Sequence, residues 1–221
     1  YILASSIMAA PGAMILAKIV YPETGEPETR DNIRISKRRT FANVFEAISN
    51  GASDGMKVAI NVTAMILALV ALVAFIDWVL GLGGIFCYKF VPGCSHLTFL
   101  SHLSLKLILG KIFSIFAIIL GVPLHDASTV GALMGTKLVL NEMVAYVGLT
   151  HVAQGLDPKS FMIASFALCS FGNFGSIAIQ IGGIGELAPN QKKNLARLGI
   201  RALICGTLSC YLSAAIVGVL L

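Results

Sequence analysis

Charge is scarce in this sequence: only 12% of its 221 residues are Asp, Glu, Lys or Arg, against about 25% in ordinary soluble domains. A soluble fold of this size leaves about 30% of its unfolded surface in water. A chain that is 57% hydrophobic, with a mean hydropathy of +0.86, has no polar coat for that surface. A soluble globular enzyme and a disordered chain are both excluded. Strict polar–apolar alternation is also lacking, which removes a transmembrane β-barrel. There is no glycine-rich phosphate loop, no metal-ligand spacing among the four His, and no Ser–His–Asp arrangement. What is present instead is a series of long, continuous apolar runs, the mark of a polytopic α-helical membrane protein.

The net charge of +5 does not point to nucleic acid. Lys and Arg gather in loops, as the positive-inside rule produces. Three of the five cysteines, Cys169, Cys205 and Cys210, lie in apolar runs, where Cys behaves as a small hydrophobe. Cys87 and Cys94 flank a loop that holds His96; they read as unpaired thiols, or as a disulfide if that loop is extracytoplasmic. The chain opens on Tyr1 inside an apolar run, with no charged n-region or signal cleavage site. It therefore reads as part of a longer protein.

A spanning helix needs about 20 apolar residues. Residues 1–20 form the first such run, and Pro11-Gly12 at its middle predicts a kink or a packing notch. Residues 22–40 are a basic linker carrying Arg30, Arg34, Lys37, Arg38 and Arg39. Over 41–57, Phe41, Val44, Phe45 and Ile48 recur at helical spacing beside polar residues, which predicts an interfacial amphipathic helix. Residues 58–80 give the cleanest transmembrane helix, with Asp77 and Trp78 near its end, and 81–98 a loop rich in Gly, Cys and Pro. Residues 99–121 are apolar but carry His102, Lys106 and Lys111, and Gly121-Val122-Pro123 ends them.

Residues 127–155 are interrupted by Asn141-Glu142. As a full crossing they would put a carboxylate at mid-membrane; as a re-entrant hairpin they would put it at a tip facing a cavity. Residues 159–185 are apolar but hold Ser170, Asn173, Ser176 and Gln180, with Gly172, Gly175, Gly182 and Gly183 among them, a poor uniform helix of the kind that marks transporter binding sites. Residues 199–221 are the last spanning helix. The basic stretches 28–40 and 190–201 both belong on the cytoplasmic side, so an even number of crossings separates them. Runs 58–80 and 159–185 supply two, which makes 99–121 partly re-entrant or interfacial. The fold class is thus an all-α polytopic membrane protein. It combines transmembrane helices with a re-entrant helical hairpin, a partly unwound helix and an interfacial amphipathic helix.

Glu142 is the first candidate for function. An ionisable group within an apolar segment is costly unless paired or wet. Asn141 adds an amide beside it, and Lys137, five residues earlier, offers a counter-charge; the alternative is a purely structural Lys137–Glu142 pair. The second cluster runs from Phe171 to Ser176. Asn173 and Ser176 share a face if helical and offer an amide and a hydroxyl, while Phe171 offers an apolar surface; the alternative here is interhelical packing. Together these groups suit an uncharged, hydroxyl-rich solute, because a carboxylate accepts two hydroxyl hydrogen bonds at once and repels an anion. His125 and His151 sit at segment ends and read as solvated. As a general base Glu142 has no nucleophile or metal partner, so the chain does not read as an enzyme.

The stretch Thr136-Lys-Leu-Val-Leu-Asn141-Glu142-Met-Val-Ala-Tyr146 resembles a hallmark of the concentrative nucleoside transporters, where Asn-Glu-Phe-Val-Ala is usual. Phe171-Gly-Asn173-Phe-Gly-Ser176 resembles a second, usually Phe-Ala-Asn-Phe. Ile7-Met-Ala-Ala-Pro11, Tyr21-Pro-Glu-Thr24, Asn50-Gly-Ala-Ser-Asp54-Gly and Arg197-Leu-Gly-Ile-Arg201-Ala-Leu also fit, so the resemblance runs through the whole chain. It implies the C-terminal half of a bacterial-type, multi-pass symporter of the cell membrane. Such a protein is a homotrimer that carries uridine-like nucleosides by alternating access, with Na⁺ favoured over H⁺ and no further cofactor. It implies that Glu142, Asn173 and Ser176 contact the ribose with Phe171 beside it, and that helix 58–80 is scaffold near the trimer contact. The sodium site and the Gly-Gln-Thr-Glu motif that reads the nucleobase would lie upstream of Tyr1, so no metal site is expected within this chain. The alternative is a non-transporting gate or receptor that binds a nucleoside-like ligand.

Overall fold

The computed structural model describes residues 2–26, 42–90 and 103–221. The expectations for Arg30 to Arg39, for the Cys87 and Cys94 thiols, and for His96 and His102 fall outside the described residues and side chains. Eight α-helices follow one another among the described residues: α1 Ile2–Val20, α2 Val44–Phe90, α3 Leu105–Ile119, α4 Leu124–Val139, α5 Glu142–Val152, α6 Pro158–Leu168, α7 Phe174–Leu187 and α8 Lys192–Leu220.

Helix α2 differs from the sequence expectation. It is one helix of 47 residues, about 70 Å at the helical rise, where an interfacial helix, a spanning helix and a loop from 81 were expected. Its start is fixed by Asn43, whose side chain accepts from Glu46 N at 2.8 Å, and by Glu46, which accepts from Ala42 N at 2.7 Å. No proline follows before Phe90. The glycines at 81 and 83 each cost about 1 kcal/mol of helix propensity. That is too little to break a helix whose backbone, away from water, must satisfy its own hydrogen bonds.

Helices α1, α2 and α8 are each long and apolar enough to cross a membrane. On α2, Leu67, Val70, Leu72, Phe75, Trp78 and Val79 are between 46% and 66% exposed. An apolar stripe of that length is not stable against water; the chain is a membrane protein. Helices α3 to α7 have between 11 and 16 residues, and none reaches across about 30 Å of hydrocarbon alone.

The buried core lies where α3, α4, α5, α6 and α8 meet, around Met134, Ile163 and Leu168. Its tightest contact is a glycine crossing. Gly131 and Gly135, one turn apart on α4, press against α3, so that a Cβ on Gly131 would lie 2.5 Å from Ser114 Cα and 2.8 Å from Gly110 O. Helix α3 ends where Gly121 takes φ +97° while Val122 N bonds to Ala117 O and Gly121 N to Ile118 O, both at 3.0 Å. That pattern satisfies the last carbonyls and turns the chain into α4. Asp77 of α2 fixes the start of α3 by accepting from Leu105 N at 2.7 Å.

Pro11 removes one helical donor from α1, and the neighbouring Gly12 is a notch filled by Ser209 of α8, whose hydroxyl donates to Ala9 O at 2.7 Å. At the other end of this pair, Arg201 lies 5.6 Å from the centre of the Tyr21 ring, and Arg197 donates to its hydroxyl at 3.4 Å. Helix α7 rests on α2, where Asn61 donates to Glu186 at 2.9 Å and Gly182 lets the backbones approach.

Candidate functional site

Two helix pairs meet end to end at one place. Helix α4 stops at Val139 and α5 starts at Glu142; α6 stops at Leu168 and α7 starts at Phe174. Both restarts are written in the sequence as N-cap residues. Asn141 caps α5 by accepting from Val144 N at 2.9 Å. Asn173 caps α7 by accepting from Ser176 N at 2.8 Å, while the Ser176 hydroxyl accepts from Asn173 N at 3.3 Å, a reciprocal capping box.

The two restarts touch through their polar side chains. Asn173 Nδ2 donates to Glu142 Oε2 at 3.0 Å. The cap fixes the orientation of this amide: turned over, its nitrogen would face the Ser176 N–H and its oxygen the carboxylate. Asn173 is 4% exposed, whereas Glu142 is half-buried, and its second carboxylate oxygen has no hydrogen bond among the described residues. The carboxylate sits at the positive end of α5 and beside that of α7.

The remaining sequence candidates occupy distinct places. Phe171 lies in the break and is 78% exposed. A cavity of about 530 Å³ opens beside it, lined by Ser6 of α1, by Ser170, Phe171, Ser176 and Gln180, and by a face of α8; Glu142 is not among its lining residues. The Ser176 hydroxyl also donates to Asn173 O at 2.6 Å. It therefore serves the cap first and keeps one lone pair for a ligand. Asn141 is likewise spent on capping. No direct pair joins Lys137 to Glu142. Lys137 donates instead to Ala167 O at 3.0 Å and to Ser170 Oγ at 2.7 Å, which removes the structural Lys137–Glu142 ion pair as a reading.

The broken end of α6 is held by side chains from several helices. The last carbonyls of a helix lack internal donors. Here Ser165 O accepts from the Tyr146 hydroxyl at 2.7 Å, Ala167 O from Lys137, and Cys169 O from the Cys210 thiol at 3.2 Å. Phe166 O accepts from Cys169 N at 3.2 Å and Leu168 O from Ser170 N at 2.9 Å. The break is thus a satisfied structure rather than a frayed one. Tyr146→Phe leaves Ser165 O without its donor and is expected to lower stability by about 1 kcal/mol, read as a lower melting temperature of the purified protein with substrate recognition retained.

Sequence reasoning passed over Tyr146 as an anchor, Gln180 as a cavity residue, and Asp126. Asp126 is 4% exposed and accepts from Asp157 N at 3.0 Å, tying the start of α4 to the start of α6. Its signal was an acidic residue in the first turn of an apolar helix. His125, expected to be solvated, is 70% exposed and lies 3.5 Å from Asp126. Among the described residues no group of three His, Cys, Asp or Glu is placed to hold a metal ion, and Cys169, Cys205 and Cys210 are free thiols.

The family described as Na⁺ dependent nucleoside transporter, C-terminus, matches residues 1–218. The chain belongs to this family. It is 43% identical to the uncharacterized transporter YutK of Bacillus subtilis, over 99% of this chain and 52% of that protein. It is 38% identical to the nucleoside permease NupC of Helicobacter pylori, over 99% of this chain and 50% of that protein. Its fold matches that of a doubly substituted CNTnw in an outward-facing state, with a TM-score of 0.81 and 38% identity over all of this chain and 50% of the other. The chain therefore spans about half the length of these relatives. Within this chain, the two stretches that resemble the family hallmarks are the ones whose side chains meet at Glu142 and Asn173. Gly172, where Ala is usual in the hallmark, backs onto α8: a Cβ there would lie 2.9 Å from Thr207 Oγ1.

Proposed function

We propose that this chain forms the ribose-binding half of a cation-coupled nucleoside symporter that works by alternating access. The contact between Glu142 and Asn173 carries the reading: it brings a carboxylate and an amide together at the positive ends of two helices, beside an exposed phenylalanine and a cavity. A carboxylate with a free oxygen accepts ribose hydroxyls, Asn173 shares the same carboxylate, and Phe171 and Ser176 border the sugar. In this reading α4 and α5 are the arms of a re-entrant hairpin, and α6 and α7 are one spanning segment unwound at 169–173. Irregular backbone of this kind is tolerated at membrane depth where it lines a cavity. The protein is a homotrimer in the cell membrane, with the exposed face of α2 as scaffold, and Na⁺ is the coupling ion. Na⁺ binding and nucleobase selection belong to residues outside this chain.

The test is uptake of labelled uridine by cells lacking their own nucleoside carriers and expressing the full-length protein. Accumulation that requires Na⁺ is the expected result. Accumulation that is indifferent to Na⁺ and abolished by a protonophore transfers the coupling to H⁺. Absence of accumulation for every nucleoside, with folded protein in the membrane, overturns the transporter reading.

A further inference from the structure

We propose that Lys137 is a positioning residue for nucleoside binding, a fixed internal cation that holds the break between α6 and α7 in its ligand-presenting shape; this rests on the transporter reading above. Lys137 is 1% exposed and is the largest fully buried side chain among the described residues. A buried ammonium is costly unless paired, yet among the described residues no carboxylate forms an ion pair with it. Its neutralisation comes from helix ends. Lys137 lies in the last turn of α4 and donates to Ala167 O, in the last turn of α6, so it sits at two negative helix termini at once.

Its second bond reaches into the break itself. Ser170 Oγ accepts from Lys137 at 2.7 Å and from Gly172 N at 3.3 Å, and Asn173 N bonds to Phe171 O at 3.0 Å. Lys137, Ser170, Gly172 and Asn173 thus form one connected path that ends on Glu142. The helix ends are charge-sorted: the anion Glu142 serves the two N-termini and the cation Lys137 serves the two C-termini. Packing alone does not account for a lysine here, since an apolar side chain of similar volume is often neutral or stabilising at a buried ionic site.

The test measures uridine uptake by the full-length protein carrying Lys137→Met, Lys137→Ala or Ser170→Ala. Lys137→Met keeps the volume and removes the charge. It is expected to raise the KM for uridine about tenfold, the scale of one lost charged hydrogen bond, with a smaller change in maximal rate. Lys137→Ala opens a space, and millimolar ethylammonium is expected to restore part of its affinity while leaving Lys137→Met unchanged; a role through packing alone predicts a wild-type KM in the volume-matched Lys137→Met. Ser170→Ala keeps the ammonium, cuts the path to Gly172 and is expected to raise KM severalfold, which keeps the proposal open to refutation where the lysine variants do not fold. A wild-type KM in Lys137→Met or in Ser170→Ala overturns it. Absence of uridine uptake by the wild-type protein overturns the transporter reading instead, so the two failures are distinct.

Discussion

Glu142→Gln is expected to lower the affinity for uridine roughly ten- to a hundred-fold, the range given by about 1.5–3 kcal/mol for a hydrogen bond to a charged group. Glutamine preserves the shape and retains one oxygen, which still accepts from Asn173 Nδ2 where the carboxylate now does, at 3.0 Å. The Asn141 cap that starts α5 and the Asn173–Ser176 capping box that starts α7 are untouched. The fold should therefore survive while the charge proposed to receive ribose hydroxyls is lost. Equilibrium binding of labelled uridine to purified full-length protein measures the effect, and the melting temperature serves as the control. Wild-type affinity in Glu142→Gln removes the carboxylate from the site.

The largest structural effect is expected at Gly131. In Gly131→Ala the new Cβ meets Ser114 and Gly110 backbone atoms of α3, which no rotamer change can clear. The two helices must separate, and overpacking of this kind costs about 3 kcal/mol or more. Loss of a monodisperse, heat-stable species in detergent is the expected outcome. Gly155→Ala is the control, because nothing lies within 4 Å of a Cβ there. Equal melting temperatures for the two variants would show that the α3–α4 crossing is not as close as described.

The two helix breaks were more legible in the sequence than helix α2. Asn141 and Asn173 are polar residues inside apolar runs, each an N-cap residue followed by a helical pattern, and an interruption of that kind is visible without coordinates. Which groups they meet was not visible. Lys137 and Glu142 are five residues apart and looked like partners, but the turn at Leu140 sends them to opposite helix ends. Ser176 looked like a ligand residue because hydroxyls bind hydroxyls, yet its first duty is a local cap. Helix α2 was misread because changes in polarity at 57 and glycines at 81–84 resemble boundaries, while neither interrupts backbone hydrogen bonding. The spacing of Gly131 and Gly135 was a legible sign of close helix approach; that the partner is Gly110 required the fold.

The central claim is that Glu142 and Asn173 together receive the ribose of a nucleoside. Competition of 2′,3′-dideoxyuridine against labelled uridine on the full-length wild-type protein tests it most directly, since only the sugar hydroxyls differ. The expected result is at least tenfold weaker competition than by uridine, with the gap narrowing in Glu142→Gln. Equal competition by uridine and its dideoxy analogue on the wild-type protein would contradict the assignment of this site to the sugar.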